Sequence, residues 1–236
     1  MQDCYTGDIG DYAKYGLLRK LSAGKTLGVA WYLFPDEEHK SDGDLIGYLE
    51  KPRLWRSHDP DLYDTLKGIV TDGQRTVSEV ERRGVLGDAQ FSSEMLSITN
   101  LPVADLREWR SKWFERVLTT LEHCDLVFAD PDNGLCEHDR FRPGRVADWK
   151  RLPLSEAKAL GSDRTAVIYH HNTRRKGGHR EEVSYWIEKL GAGTRALRWR
   201  AFGARTFFIV NPTPGMLDIL EAFAHEWGPK AELHHR

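Results

Sequence analysis

Residues 130–134 read Asp130-Pro131-Asp132-Asn133-Gly134 and come directly after the apolar run 125–129, DLVFA. Pro131 fixes the backbone between two carboxylates, so Asp130 and Asp132 have little freedom relative to each other. Asn133-Gly134 is a ready turn. Carboxylates this close suit two chemistries. They can hold a divalent cation such as Mg or Mn, or one can keep the other partly protonated so that it serves as acid or base. The plainer reading is a strand-to-turn junction with Asp130 capping the next segment.

Three further segments carry reactive side chains. His170-His171-Asn172 comes after the apolar run 165–169, TAVIY. Successive side chains at a strand end face opposite ways, so one of the two imidazoles at most serves a given site. His170 is the candidate base, metal ligand or stacking group, against the alternative of a hydrogen-bonded loop histidine. Arg174, Arg175 and Lys176, with His179 and Arg180 beyond two glycines, form a basic loop suited to phosphate, although such runs are also simply solvated. Residues 5–15 set Asp8, Asp11 and Lys14 among tyrosines, with Gly7 and Gly10 just before a helix. Backbone amides left open there could dock an anion or the polar edge of a cofactor; core packing by the tyrosines is the alternative. His225, His234 and His235 read as tail and surface.

The elements that must position these groups are set by hydrophobic pattern. A helix capped by Asp8 or Asp11 runs to about Ala23 and stops at Gly24. Residues 27–34 (LGVAWYLF), 125–129 and 165–169 are short continuous apolar runs, the pattern of strands covered on both faces. Residues 102–123 carry Leu106, Trp109, Trp113, Val117 and Leu121 at helical spacing. Residues 146–160 read as helix broken at Pro153, and 181–190 as helix. Residues 195–201 and 206–210 are strands joined by four residues, a link too short for anything but an antiparallel hairpin. The expected fold is α/β: a mostly parallel, doubly wound sheet ending in an antiparallel hairpin, the layout of class I methyltransferase-like folds. One domain spans 1–236. Residues 44–100 read as a small insertion or cap, with short helices at 44–50 and 61–70 and a pair of strands at 76–81 and 90–96.

In such a sheet ligands bind outside the carboxyl ends of the strands. The loops after Phe34, Ala129 and Tyr169 meet there and bring Asp36, Glu37, Glu38 and His39 toward Asp130, Asp132 and His170. Composition bounds the remainder. Hydrophobic residues are 40% of 236, charged residues 30%, and the formal net charge is −2, which argues against disorder and against a general polyanion coat. Three cysteines in odd number and wide spacing suit a reducing compartment. No apolar run approaches the roughly 20 residues of a membrane span, and the amino end lacks a basic-then-apolar signal. The expectation is a cytoplasmic protein with no membrane partner.

The segment Gly7-Asp8-Ile9-Gly10-Asp11-Tyr12-Ala13-Lys14-Tyr15 resembles the opening motif of the large-subunit ribosomal RNA adenine-N6 methyltransferases of the RlmJ type, Gly-Asn-x-x-Asp-x-x-Lys-His. Asp130-Pro131-Asp132-Asn133 occupies the place of their Asp-Pro-Pro-Tyr motif, and Phe208-Ile209-Val210-Asn211-Pro212 resembles their late strand. The chain is also similar to a group of uncharacterised bacterial proteins with an Asp-Pro-Asp-Asn-Gly motif. The resemblance implies S-adenosylmethionine bound by Asp8, Lys14, Phe34 and Asp36. It implies base chemistry by Asp130, Asp132, Asn133 and His170, and nucleic-acid phosphate held by Lys14 and the basic loop. Asn133 stands where those enzymes carry the aromatic that stacks on a flipped base. Tyr32-Leu33-Phe34-Pro35-Asp36 stands where they have a glycine-rich turn. Two other readings use the same residues: a divalent-metal nuclease built on Asp130, Asp132 and Asp36, and a non-catalytic nucleic-acid-binding module.

Overall fold

Asp8 accepts the Asp11 amide and so starts α1 (Ile9–Leu21) where the sequence places it. The computed structural model describes residues 1–37, 43–97 and 101–234, so the expectations for Glu38, His39 and His235 lie outside the described residues. After α1 come β1 (Leu27–Ala30), α2 (Pro52–Trp55), α3 (Pro60–Thr71), α4 (Val77–Arg82) and β2 (Gln90–Ser92). Next are α5 (Leu106–Thr120), β3 (Leu126–Ala129), β4 (Leu135–Cys136), α6 (Val146–Trp149), β5 (Leu152–Pro153) and α7 (Leu154–Leu160). The last elements are β6 (Thr165–His171), α8 (Gly178–Leu190), β7 (Arg195–Trp199), β8 (Arg205–Val210), α9 (Pro214–Trp227) and β9 (Ala231–His234).

Seven strands form one sheet in the order β2-β1-β3-β6-β8-β7-β9. The first four run parallel, β8 runs antiparallel to both its neighbours, and β9 pairs antiparallel with β7. This is the α/β, Rossmann-like architecture expected, with the hairpin closing one side. Alternate residues of the parallel strands feed two separate cores. Leu126, Phe128 and Val167 pack on the α1 and α9 face; Val127, Ala129 and Ile168 pack on the α5, α7 and α8 face. Full burial of a side chain such as Phe128 contributes roughly 1.5–3 kcal/mol. Continuing the alternation along β6 puts His170 on the α8 face and His171 on the α1 face.

Three expectations need correction. Residues 76–81 are helix: Thr76 caps α4 through the Glu79 amide, and Val77 and Val80 bury one helical turn apart. Residues 44–100 are no separate cap, because β2 joins the main sheet beside β1, and Tyr48, Trp55, Leu62, Tyr63 and Leu66 complete the α1-side core. The run 27–34 leaves the ladder after Ala30. Trp31 donates to the Ser92 carbonyl, and Tyr32 turns left-handed at φ 47, a conformation costing a non-glycine residue about 1–2 kcal/mol. That turn sends the Tyr32 hydroxyl to Glu156 Oε2 at 2.9 Å. Among the described residues no helix is long and apolar enough to cross a membrane.

Candidate active site

The carboxyl ends of β3 and β6 and the first turn of α1 enclose a cleft of about 360 Å³. Two glycines set the backbone at this end of α1, and Gly10 lines the cleft. Gly7 sits at φ 84, and a Cβ there would lie 2.7 Å from Val70 Cγ2. At Gly10 a Cβ would lie 2.7 Å from Arg205 Cζ, so the bare position lets the guanidinium cross the helix. Arg205 Nη2 there reaches Asp8 Oδ2 at 3.1 Å. Part of the backbone expected to be open to an anion is engaged within the chain. The Gly7 and Asp11 amides already donate to Asp11 Oδ2 and Asp8 Oδ1.

Lys14 ties helix to loop. Its ammonium lies 2.6 Å from Asp11 Oδ1 and 2.6 Å from Asp130 Oδ2, and all three groups are buried. Burial alone would lower the Lys14 pKa; the charges of Asp11 and Asp130 more than reverse it, so it is raised. A cation so enclosed cannot also take a substrate phosphate, which corrects that expectation. Burial raises Asp130 against the pull of Lys14, and it pushes Asp8 up to about 6 against Arg205. Removing Lys14 would leave two carboxylates dry and unpaired, a change that costs about 3–5 kcal/mol in comparable buried pairs.

Several cleft groups keep hydrogen-bonding capacity. Asp130 Oδ1 and the Asn133 side-chain amide make no hydrogen bond to the chain among the described residues. Arg205 Nη1 is buried with no acceptor among them. Tyr5 and Tyr169 add aromatic walls, and Phe202 stands at the mouth, 55% exposed and left-handed at φ 53. The positive φ at Phe202 and Gly203 is that of the tight β7–β8 turn, and it holds the Phe202 ring against Trp55 at the edge of the cleft.

Asp132 reaches the same cleft but is already engaged, with Gln2 Nε2 at 2.6 Å and Lys150 Nζ at 3.3 Å. Asp36 is exposed and accepts the Cys4 amide at 3.2 Å, and Phe34 packs in the α5-side core under Lys150. Neither lines the cleft. The metal set Asp130, Asp132 and Asp36 therefore does not assemble, and among the described residues no three His, Cys, Asp or Glu groups converge to hold a metal.

His170 does not join the cleft either. It is fully buried on the α8 face, where Nδ1 accepts the Leu135 amide at 3.0 Å and Nε2 faces Glu182 Oε1 at 3.2 Å. With both nitrogens engaged and burial lowering its pKa, it is a neutral brace between the 130–134 loop and α8. Gly134 is needed there, since a Cβ would fall 2.4 Å from His170 Nδ1. His171 lines the cleft in its place. Arg174 and Lys176 are exposed outside it, and Arg175 lies over the Tyr185 ring at 3.6 Å in a second cleft.

Asp130, Asp132, Asn133, Asp8 and Lys14 thus line one cleft. Sequence reasoning missed Arg205 and Phe202, which the β7–β8 link delivers to the cleft; the exposed Phe202-Gly203 pair in a tight turn was the available signal. Chemically, the cleft offers a desolvated carboxylate and a side-chain amide, each with bonding capacity left among the described residues, and an aromatic face. No protein-family model matches the chain, and no curated protein matches it.

Proposed function

We propose that the protein is a nucleic-acid-modifying enzyme on a methyltransferase-like scaffold. A base sits in the acidic cleft with its exocyclic amine donating to Asp130 Oδ1. The observation that carries this reading is the 2.6 Å contact of Lys14 with Asp130. It joins the amino-terminal segment and the Asp-Pro-Asp-Asn loop, the two motifs of the resemblance, in a single site. Asn133 complements the ring edge, and Phe202 supplies the stacking face that position 133 lacks. Asp130, raised by burial, is suited to accept a proton from the amine.

The methyl donor implied by the resemblance does not fit the chain as folded. The end of β1, where its methionine portion would lie, is closed by Met1. The Met1 nitrogen donates to the Tyr32 and Asp130 carbonyls at 3.1 and 2.9 Å, and its carbonyl accepts from Phe34. The cleft itself, about 360 Å³, lies at the low end for ligand sites and suits one nucleoside-sized ligand. No step is therefore routed through S-adenosylmethionine.

The test incubates the full chain with single-stranded RNA and DNA, with and without S-adenosylmethionine, and reads the digested nucleosides by mass spectrometry. An altered nucleoside formed by wild type and absent with Asp130→Asn supports the reading. Unaltered nucleosides under every condition, with retained binding, would leave a non-catalytic module.

A further inference from the structure

A second cleft, on the α8 face of β6, gathers four arginines. Arg140 ends a short 3-10 turn (His138–Arg140), Arg145 precedes α6, Arg151 lies just beyond it, and Arg175 lies in the loop after β6. With Tyr185 and Trp186 of α8 they line a cleft of about 310 Å³. Among the described residues, none of the four guanidinium groups forms an ion pair or a side-chain hydrogen bond. Some arginines elsewhere are paired, Arg56 with Asp64 at 2.6 Å, Arg110 with Glu156 at 2.8 Å and Arg116 with Glu94 at 2.6 Å, while Arg53, Arg107 and Arg174 form no ion pair among the described residues but stand singly rather than gathered around one cleft.

Three carboxylates share the cleft, and two are already committed. Glu182 accepts from the Thr173 amide, the Thr173 hydroxyl, His170 and Asn172. Burial works against its charge, but the bonds from His170 and Thr173 hold its pKa down at about 2. Asp148 accepts the Arg142 amide at 3.1 Å. Glu137 is half-buried in the lining. The arginines are thus left to meet charge from outside. Arg175 is fixed in orientation by its stacking on Tyr185.

We propose that this cleft is a phosphoryl-binding site, taking the phosphate of a nucleotide or of a nucleic-acid strand. Planar guanidinium forks match phosphate oxygens in pairs, which a lysine cannot do. The space exceeds that of a lone anion and leaves room beside the Arg175–Tyr185 stack for a ring. A shallow groove also leads from it to the acidic cleft. That groove shares Ala147 with the arginine cleft and Tyr5, Asp132 and Asn133 with the acidic one. The phosphoryl site stands whether or not a base is modified at Asp130.

The experiment is calorimetric titration of the full chain with inorganic phosphate, a nucleoside 5′-monophosphate and a single-stranded hexanucleotide, at two salt concentrations. Wild type binds at least one of them, and the double variant Arg151→Gln/Arg175→Gln weakens that binding by about tenfold or more. Arg56→Gln/Arg116→Gln removes the same charge elsewhere and leaves it unchanged. Strongest binding of the mononucleotide assigns the site to free nucleotides. Strongest binding of the hexanucleotide, with a salt dependence that flattens in the double variant, assigns it to a strand backbone. The proposal is overturned if none of the three binds wild type, or if both double variants bind alike. Asp130→Asn, run in parallel, keeps inorganic-phosphate binding whether or not the base-modifying reading holds, because no residue lines both clefts.

Discussion

His170 and His171 are neighbours on β6 and face two clefts built on opposite principles. On the α1 side the charges are buried and settled among themselves: Asp11 and Asp130 against Lys14, Asp8 against Arg205. On the α8 side four arginines stand at or near the surface without carboxylate partners among the described residues. Desolvation explains the difference. A dry charge must be neutralised by the chain itself, whereas a solvated one can be left for a ligand. In the proposed reading the acidic cleft would therefore select by shape and hydrogen-bond pattern, and the arginine cleft by charge.

The largest effect that would break this contrast is on stability. Lys14→Met should cost about 3–5 kcal/mol, because Asp11 and Asp130 lose their shared cation; urea unfolding measures it. A loss below about 1 kcal/mol would mean that the buried cluster is not settled as described. Next comes ligand affinity. Phe202→Ala should weaken base binding by about 1–3 kcal/mol, the value of one stacked base, while calorimetric melting stays close to that of wild type. Unchanged affinity would return Phe202 to a role in packing on Trp55.

The smallest effect is on pH dependence, and it has opposite signs in the two regions. Asp8 titrates at about 6 in the fold, above its unfolded value of 3.8. Its contribution is thus fully present below the unfolded value and is lost as pH rises through about 6. Glu182, held at about 2 below an ordinary 4.5, contributes stability above 4.5 that is lost as pH falls toward 2. Denaturant midpoints measured from low to neutral pH should therefore lose their fall between about 4 and 6 in Asp8→Asn and their acid limb in Glu182→Gln. An unaltered profile in either variant contradicts the corresponding pairing.

Much of the fold was legible because its strongest signals are local. Residues 125–129 and 165–169 are apolar almost throughout, as strands covered on both faces must be. The four-residue link before Thr206 admits only a hairpin. Residues 76–81 mislead because Val77 and Val80 fit a helical turn as well as a ragged strand, and the Thr76 cap decides between them. His225 and His234 read locally as tail and surface; His225 is exposed on a helix, Pro214–Trp227, whose other face packs on the α1-side core, and His234 ends an edge strand. In the site, Asp8, Lys14, Asp130, Asp132 and Asn133 announce themselves as compact motifs. Arg205 and Phe202 act from a link far along the chain, and Arg140, Arg145 and Arg151 are scattered through irregular backbone. Their convergence depends on topology, which no local pattern encodes. His170 fails as a site residue for a related reason: strand alternation leaves open which of two faces holds the cleft.

The most direct test of the central claim is calorimetric titration of a short adenine-containing oligonucleotide into wild type and Asp130→Asn, with Arg151→Gln/Arg175→Gln as the control for phosphate contacts. If the acidic cleft receives a base at Asp130 Oδ1, Asp130→Asn loses affinity by about tenfold or more while remaining folded, with Lys14 still paired to Asp11. If Asp130→Asn binds as tightly as wild type and only the arginine variant is weakened, the acidic cleft is not where the base sits.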